Sequence, residues 1–411
     1  MDLSSWRYET LTRDLIVVGG GPAGASCARR AAQEGLDVLL LEKETHPRRK
    51  ACGGGFRAGL PDLLDFDISS AIDRESSGSH LFSPSRTKVV CTKDEVTGYT
   101  VKRETFDKLL LDKAIEAGAE VQQNMEVVDV IESSNQVEAY TRDGERFAGK
   151  FMVGADGVNS KVARTSGIMK RWDQEAIGLC MEAAVPMDDS EIERITLAPY
   201  ESGRICIQIY FGGLEHGYAW CFPKKGEMSL GMGCLMPFAK DLKDAWGKFI
   251  HEFEETYSVD LDMSQETAWR VPLAGPIDNT ISERIMLVGD AAGFVSPATG
   301  EGIYYAIDTG HIAADAVART LKGNADGTHE YQRRWREGIG KEMDAANFLA
   351  NLLFNSEENM EHVIQMASRD DVMRSHMTDL IGGLRSYTDL RKSLMWRVLS
   401  RHALTGLKMI L

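Results

Sequence analysis

The 411-residue sequence lacks several features that would assign it to other classes of protein. It has no run of about 18 apolar residues, the length that a membrane-spanning helix needs. Its seven cysteines are scattered without a CxxC pair, so they indicate no zinc knuckle, iron–sulfur cluster or disulfide framework, and we expect no metal site. The net charge of −15 argues against non-specific nucleic-acid binding, and we expect no nucleic-acid partner.

Signs of export are also missing. The first twelve residues contain acids and no apolar segment, so we expect no secretory signal. Scattered cysteines favour a reducing, cytoplasmic location. Hydrophobic residues make up 43% and charged residues 27% of the chain, which is typical of a globular protein, and the length is sufficient for two or three domains.

Segment 14–43 has the pattern of a dinucleotide-binding βαβ unit. An apolar strand ends in the turn GGGPAG, an alanine-rich helix follows, and a second apolar strand ends at Glu42. Gly19, Gly21 and Gly24 allow a tight turn, backbone approach to a pyrophosphate and close helix packing. The helix N-terminus can bind the pyrophosphate, and the Glu42 carboxylate can accept hydrogen bonds from a ribose. The motif alone does not distinguish NAD from FAD.

Glycine also marks three later segments, CGGG at 52–55, GADG at 154–157 and GDAAGFVSPATGEG at 289–302. Residues 52–55 are predicted to form a loop that approaches a ligand, or else a flexible surface loop with an incidental cysteine. The other two segments follow predicted buried strands, as the first turn does, and together these strand ends indicate one extended ligand. Arg103 begins a helix predicted to end near Ala117, where it could reach that ligand.

Residues from about 170 to 275 contain a succession of predicted strands, at 176–185, 204–211, 218–222 and 228–234, which suggests an antiparallel sheet inserted into the nucleotide-binding fold. Within it, the element YAWCFP places Tyr218, Trp220 and Phe222 on one face of a strand. This aromatic face is predicted to be either sheet core or the wall of an apolar pocket.

The tail from about 328 is predicted to be helical. Residues 384–411 carry six Lys or Arg and one acid, and Leu390, Leu394 and Val398 share a helical face with Trp396 beside it. Such a basic amphipathic helix either packs on its own domain or lies on a membrane surface.

Taken together, GGGPAG with Glu42, the CGGG loop, Arg103, GADG and GDAAGFVSPATGEGIYYA resemble the FAD-dependent geranylgeranyl reductase family, within the larger group that includes para-hydroxybenzoate hydroxylase. The resemblance runs from about residue 13 to the end of the chain and implies FAD as the cofactor. It implies an α/β fold with a discontinuous Rossmann-like FAD-binding domain (13–79, 102–170 and 280–325). An inserted antiparallel β-sheet substrate domain (80–101 and 171–279) and a C-terminal helical region (326–411) complete the predicted fold.

The resemblance also implies roles for individual residues. The implied cofactor-binding residues are Gly19, Gly21, Ala23, Gly24, Glu42, Lys43, Cys52, Gly53, Gly55, Arg103, Val127, Asp156, Asp290, Gly300, Gly302 and Ile303. The implied substrate-pocket residues are Tyr218, Trp220, Phe222 and Pro223, of which Tyr218 and Trp220, with Cys52, are the predicted catalytic residues. The chain departs from the family pattern PxxYxWxFP at Glu215, where the first proline would stand. It also has CGGGF where some archaeal members have CGEG or CGDG.

The implied activity is saturation of carbon–carbon double bonds in the geranylgeranyl chains of lipids, by hydride transfer from reduced flavin and protonation. The implied partner is an isoprenoid lipid, and an external electron donor is also expected. Because no second GxGxxG unit is present for NADPH, the donor stays open between a ferredoxin, a quinol-type donor and a transiently bound NAD(P)H. A peripheral position on the cytoplasmic membrane face is also an open alternative. A flavin monooxygenase, a flavin halogenase and an electron-transfer flavoprotein dehydrogenase are the alternatives with the same cofactor motifs. The monooxygenases commonly have His after GDAA, where this chain has Gly293, and the electron-transfer class needs cluster-binding cysteines.

Overall fold

Two β-sheets and a set of helices make up the part of the chain that the computed structural model describes, residues 11–198, 203–324 and 326–401. The strands are β1 (Thr12–Val18), β2 (Val38–Glu42), β3 (Gly55–Arg57), β4 (Ile72–Phe82), β5 (Lys88–Thr92), β6 (Gly98–Val101), β7 (Glu120–Gln123), β8 (Val127–Glu132), β9 (Val137–Thr141), β10 (Arg146–Gly154), β11 (Ile177–Pro186), β12 (Ile205–Phe211), β13 (Gly217–Lys224), β14 (Glu227–Leu235), β15 (Thr267–Pro272) and β16 (Ile285–Leu287). The helices are α1 (Pro22–Gln33), α2 (Arg103–Glu116), α3 (Lys161–Thr165), α4 (Asp189–Thr196), α5 (Leu242–Tyr257), α6 (Ile303–Leu321), α7 (Gly327–Trp335), α8 (Lys341–Phe354), α9 (Glu357–Arg369), α10 (Asp371–Gly382) and α11 (Tyr387–Arg401).

The first sheet has the strand order β7-β2-β1-β10-β9-β8, with β16 paired to β10. Strands β7, β2, β1, β10 and β16 run parallel, and β9 and β8 extend the sheet in antiparallel fashion. All five residues of β2 are buried, as expected for a parallel strand covered on both faces. Because β1 pairs with both β2 and β10, the glycine turn, Glu42 and the GADG segment lie at one edge of this sheet.

The second sheet has the order β15-β11-β14-β13-β12-β4-β6-β3, and β5 pairs with β4. Its strand pairs are antiparallel except for the parallel pair of β12 and β4. Ala219 and Cys221 of β13 belong to a buried cluster with Trp246 and Phe249 of α5. Since side chains alternate along a strand, Tyr218 and its even-numbered neighbours project from the opposite face.

The C-terminal helices pack on both sheets. Helix α6 lies directly on α1, where a Cβ at Gly310 would come within 2.4 Å of the Ala23 carbonyl oxygen. Leu390, Leu394 and Val398 of α11 are buried, so the apolar stripe of this helix packs on the protein and does not face a membrane. Residues 402–411 of the predicted basic tail lie outside the described part. None of the described helices is long and apolar enough to cross a membrane.

The structure confirms the predicted α/β fold with an inserted, mainly antiparallel sheet and C-terminal helices. Helix α2 and strands β11–β14 lie within a few residues of their predicted positions. The domain division drawn from the sequence begins the second domain at residue 80, whereas β3 and all of β4 already belong to the second sheet. Strand β15 and helices α4 and α5 were not predicted individually.

Candidate functional site

A cavity of about 810 Å³ lies between the two sheets and extends beneath helices α8 and α10. Nearly all of the site residues predicted from the sequence line it. They are Gly19, Gly21, Ala23, Glu42, Lys43, Cys52, Gly53, Gly55, Arg103, Val127, Asp156, Tyr218, Trp220, Phe222, Asp290, Gly300, Gly302 and Ile303. Gly24 and Pro223 do not line it. Pro223 projects from the other face of β13, and its carbonyl oxygen accepts a hydrogen bond from Thr100 Oγ1 at 2.6 Å.

The first glycine turn leaves its end of the cavity open to an anion. Gly19 has φ +106°, and a Cβ there would lie 2.4 Å from the Ala155 carbonyl oxygen. A Cβ at Gly24 would lie 1.9 Å from the Gly19 carbonyl oxygen, so Gly24 serves the packing of α1 on the turn. Gly21 is the N-cap of α1, and the first turn of this helix has no acidic residue and no side-chain cap among the described residues. Its free N–H groups and the positive end of its dipole therefore face the cavity.

Charged side chains surround this turn. Glu42 is only 3% exposed, and its carboxylate accepts hydrogen bonds from the backbone N–H groups of Gly20 and Glu44. Arg48, which the sequence did not single out, lies 3.1 Å from Asp107 and 3.4 Å from Glu44. Its guanidinium also lies near the turn, 3.7 Å from where a Gly21 Cβ would stand. This arrangement fits a dinucleotide, with a cation and a helix N-terminus for the pyrophosphate and a buried carboxylate for the ribose.

Arg103 is held in place by Asp107. Both side chains are buried, and Nε and Nη2 of Arg103 each donate to the Asp107 carboxylate at 2.8 Å. Burial alone would raise the pKa of Asp107, but Arg103 together with Arg48 and Lys50 outweighs it and the pKa is lowered. Burial lowers the pKa of the Arg103 guanidinium, but Asp107 and the neighbouring Cys52 thiol raise it by more, so the pKa is raised overall. The pair therefore fixes the α2 entrance against the cysteine loop.

The cysteine loop packs on the aromatic strand. A Cβ at Gly53 or Gly55 would lie 2.7 Å or 2.8 Å from the Phe222 ring, so both positions require glycine. Tyr218, Trp220 and Phe222 form a continuous aromatic wall, with neighbouring ring centroids 6.1 Å and 6.4 Å apart. The predicted cofactor loop and the predicted substrate wall are thus in direct contact.

The segment around Gly300 closes the other side of the cavity. Gly300 has φ +71°, and the Tyr218 hydroxyl donates to the Thr299 carbonyl oxygen at 2.8 Å. Gly302 is the N-cap of α6, which also begins without an acid in its first turn or a side-chain cap among the described residues. Asp290 lies 3.7 Å from Lys50. A second helix N-terminus therefore faces the same cavity as that of α1.

Asp156 serves mainly as a cap. Its carboxylate accepts from Ser160 Oγ at 2.5 Å and from the N–H groups of Lys161 and Val162 at the start of α3. Burial raises the pKa of Asp156, and these donors offset only part of the rise. The predicted cofactor contact of Asp156 stays a prediction, as do the individual roles of the other site residues.

Sequence reasoning missed several charged residues of the cavity wall, among them Arg48, Arg57, Glu182 and Glu301. Arg57 donates through Nε to Glu301 at 2.6 Å and through Nη2 to Tyr305 at 2.8 Å, and both members of the ion pair are largely buried. The position of Glu301 between Gly300 and Gly302 was a usable signal. The position of Glu182, a single charge inside the apolar strand β11, was a second usable signal. No sequence feature distinguished Arg48 from the other residues of its basic segment.

Comparison with known proteins identifies the family. The FAD binding domain family matches residues 12–206. Digeranylgeranylglycerophospholipid reductase of Methanothrix thermoacetophila is 31% identical, covering 94% of this chain and 98% of the relative. Digeranylgeranylglycerophospholipid reductase 2 of Methanococcoides burtonii is 32% identical over 93% and 94% of the two chains. The chain belongs to the geranylgeranyl reductase family. The predicted family is confirmed, and so is FAD as the cofactor of this oxidoreductase.

Solved structures agree on the fold of this family member. A geranylgeranyl bacteriochlorophyll reductase-like protein from Thermoplasma acidophilum superimposes with a TM-score of 0.77 at 24% identity, covering 93% of this chain and 98% of the other. A flavin-dependent brominase superimposes with a TM-score of 0.70 at 22% identity, covering 95% and 100%. At these identities the likeness shows the fold alone.

Proposed function

We propose that this family member saturates carbon–carbon double bonds in the geranylgeranyl chains of lipids. The observation that supports the proposal most strongly is the continuity of the cavity from the glycine turn to an apolar end. That end is walled by Trp220 and Phe222 and by the side chains of Leu353, Phe354 and Leu380. A slot of this kind suits an isoprenoid chain, because it offers apolar contact beside the cofactor site.

Bound FAD would supply the hydride for this reaction. The α1 N-terminus and Arg48 would bind its pyrophosphate, Glu42 its ribose, and the loops at 52–55 and 300–303 its flavin end. The aromatic wall would hold the alkene and exclude water, which places the reacting carbons and protects the reduced cofactor. Tyr218 acts as part of this wall, because burial raises the pKa of its phenol and its hydroxyl is committed to the Thr299 carbonyl. Cys52 lies beside the wall, where it would donate a proton or guide movement of the flavin.

The decisive experiment is anaerobic. The FAD-loaded protein is reduced with dithionite and mixed with a geranylgeranyl lipid, and flavin reoxidation is followed together with the mass of the product. The proposal predicts reoxidation with a mass gain in hydrogen pairs. Flavin that stays reduced with the lipid but reacts rapidly with oxygen and an aromatic substrate would refute it and favour a monooxygenase. Halide incorporation under oxygen would favour a halogenase.

Turnover also needs an electron donor, which we propose to be a ferredoxin or NAD(P)H. Comparing the rates of anaerobic flavin reduction by the two donors tests this choice.

We further propose peripheral contact with the membrane that holds the lipid. Trp396 on α11 supports it, since its side chain is 74% exposed on a basic helix. Phe348 of α8 is 40% exposed and lies 5.7 Å from the Arg391 guanidinium of α11.

A further inference from the structure

Glu182 is a buried acid on the cavity-facing side of the second sheet. It lies in the middle of β11 and is 4% exposed. The register pairs Glu182 with Gly231 of β14, Gly231 with Trp220 of β13, and Glu182 with Thr267 of β15. Residues directly opposite each other in a sheet project from the same face, so the carboxyl group and the indole share one side of this row.

The missing side chain at Gly231 brings the indole toward the acid. A Cβ at Gly231 would lie 2.0 Å from Trp220 Cζ2, so the ring lies across this position. Ser229 connects the two groups. The Trp220 indole N–H donates to Ser229 Oγ at 3.5 Å, and Ser229 Oγ donates to Glu182 Oε1 at 3.2 Å. Glu182 Oε2 accepts no hydrogen bond from any described residue.

Burial of Glu182 outweighs the charges around it and favours the neutral form of its carboxyl group. Burial raises the pKa of its carboxyl group, and Glu227 raises it further. Lys224, Arg49 and the hydrogen bond from Ser229 lower it, but only in part. The carboxyl group therefore keeps its proton to a higher pH than an exposed glutamate does.

Glu182 also lies where a polar mouth of the cavity meets the aromatic wall. Arg49 Nη2 is 3.7 Å from Glu182 Oε2, and the Arg49 side chain is 42% exposed. Arg49 itself donates to both the side chain and the backbone carbonyl of Gln265, in the loop before β15. Water that reaches Arg49 could therefore return a proton to the buried carboxylate.

We infer that Glu182 is the acid that supplies the proton in alkene reduction and that Ser229 is its positioning residue. The inference rests on the proposed function, in which one alkene carbon receives a hydride from the reduced cofactor. The π electrons form the second C–H bond with the proton that leaves the Glu182 carboxyl group. The resulting carboxylate takes up a proton from water, so that the alkene gains two hydrogens and the cofactor loses two electrons.

The test compares the FAD-loaded wild type with E182Q, which keeps the size of the side chain and an acceptor for Ser229 but has no acidic proton. We expect E182Q to lower the rate of lipid-dependent flavin reoxidation by about 10²–10⁴-fold, the usual contribution of a general acid. The dissociation constants of FAD and of the lipid should change less than about twofold. E182D, which keeps the acid, should recover part of the rate. E191Q, at an exposed carboxylate of α4 paired with Arg194, is the matched control.

Two readouts separate proton donation from a structural role. The wild-type rate should fall as the pH rises through the Glu182 pKa, whereas the slower E182Q rate should lose this dependence. Infrared difference spectra of the oxidised, non-reacting protein should show a protonated carboxyl band that E182Q lacks. If the wild type reduces lipid and E182Q is equally fast, or if E182Q keeps the wild-type pH profile, this inference is overturned while the proposed function stands. Absence of lipid reduction by the wild type would overturn the proposed function and, with it, this inference.

Discussion

Replacing Gly231 by alanine tests whether the Trp220 indole forms the working wall of the slot. The new Cβ would stand 2.0 Å, 2.3 Å and 2.6 Å from three atoms of the indole, whereas ordinary contact begins at about 3.4 Å. The ring must therefore move by at least about 1.4 Å, or the sheet must shift. Forcing an extra methyl group into a packed site costs about 1–3 kcal/mol, a loss that a protein of ordinary stability survives.

The expected result is a selective defect. A displacement of about 1 Å near the reacting atoms can cost about 10²-fold in rate, so we expect G231A to slow lipid-dependent reoxidation by about that factor. FAD affinity, measured by titration of the apoprotein, should fall much less than the rate, because the glycine turn, Glu42 and Arg48 are unchanged and only the contact of Trp220 with the loop at 52–55 is disturbed. G247A is the control, since a Cβ there meets nothing within 4 Å and alanine favours a helix. A G231A protein that is destabilised by 1–3 kcal/mol but reduces lipid at the wild-type rate would refute the role of Trp220. Unchanged stability and rate would refute the packing argument itself.

Three other changes give independent tests. R57Q leaves Glu301 buried without its cation, which should cost about 3–5 kcal/mol in the free energy of unfolding and weaken FAD binding, and an unfolding curve identical to wild type would contradict this. R49Q removes a positive charge that favours the Glu182 carboxylate, so the pKa of Glu182 should rise and the fall in the reduction rate should move to higher pH. A shift of this fall to lower pH would contradict Glu182 as the proton donor. W396A should lower cosedimentation with anionic vesicles without changing the reduction of detergent-dispersed lipid, and unaltered vesicle binding would exclude Trp396 from a membrane contact.

The arrangement of the glycine-turn end of the cavity could be predicted from the sequence because its elements are local. The glycine turn, its helix and Glu42 fall within 30 consecutive residues, and their order alone determines how they meet. The aromatic face was predicted for a similar reason, since alternation along β13 does not depend on which strands pair with it. Alternation could not decide between core and pocket, and the structure places these rings on the cavity.

Contacts between distant segments were beyond sequence reasoning. Arg57 and Glu301 are 244 residues apart, and neither position shows which partner it meets. Glu182 was visible as a charge in an apolar strand, but its neighbours depend on the register of β11 against β14. The mixed polarity of β4 also hid its membership of the second sheet. The apolar periodicity predicted for α11 was correct, since Leu390, Leu394 and Val398 share one face, but periodicity alone does not distinguish burial against the protein from contact with a membrane.

The contact between the CGGG loop and β13 links two motifs that the sequence treats as separate. Phe222 occupies the space that side chains at Gly53 and Gly55 would need, and the Trp220 indole nitrogen lies 3.1 Å from where a Gly53 Cβ would stand. Gly54 has φ +72°, and a Cβ there would lie 2.2 Å from the Val101 carbonyl oxygen. An acidic residue at position 54, as in the CGEG and CGDG loops, would therefore require a shift of loop or strand in this chain. The loop cannot move without disturbing Phe222 and Trp220. We therefore expect that a movement of the loop at the flavin end displaces the aromatic side chains of the lipid slot, and that a lipid bound in the slot restricts movement of the loop.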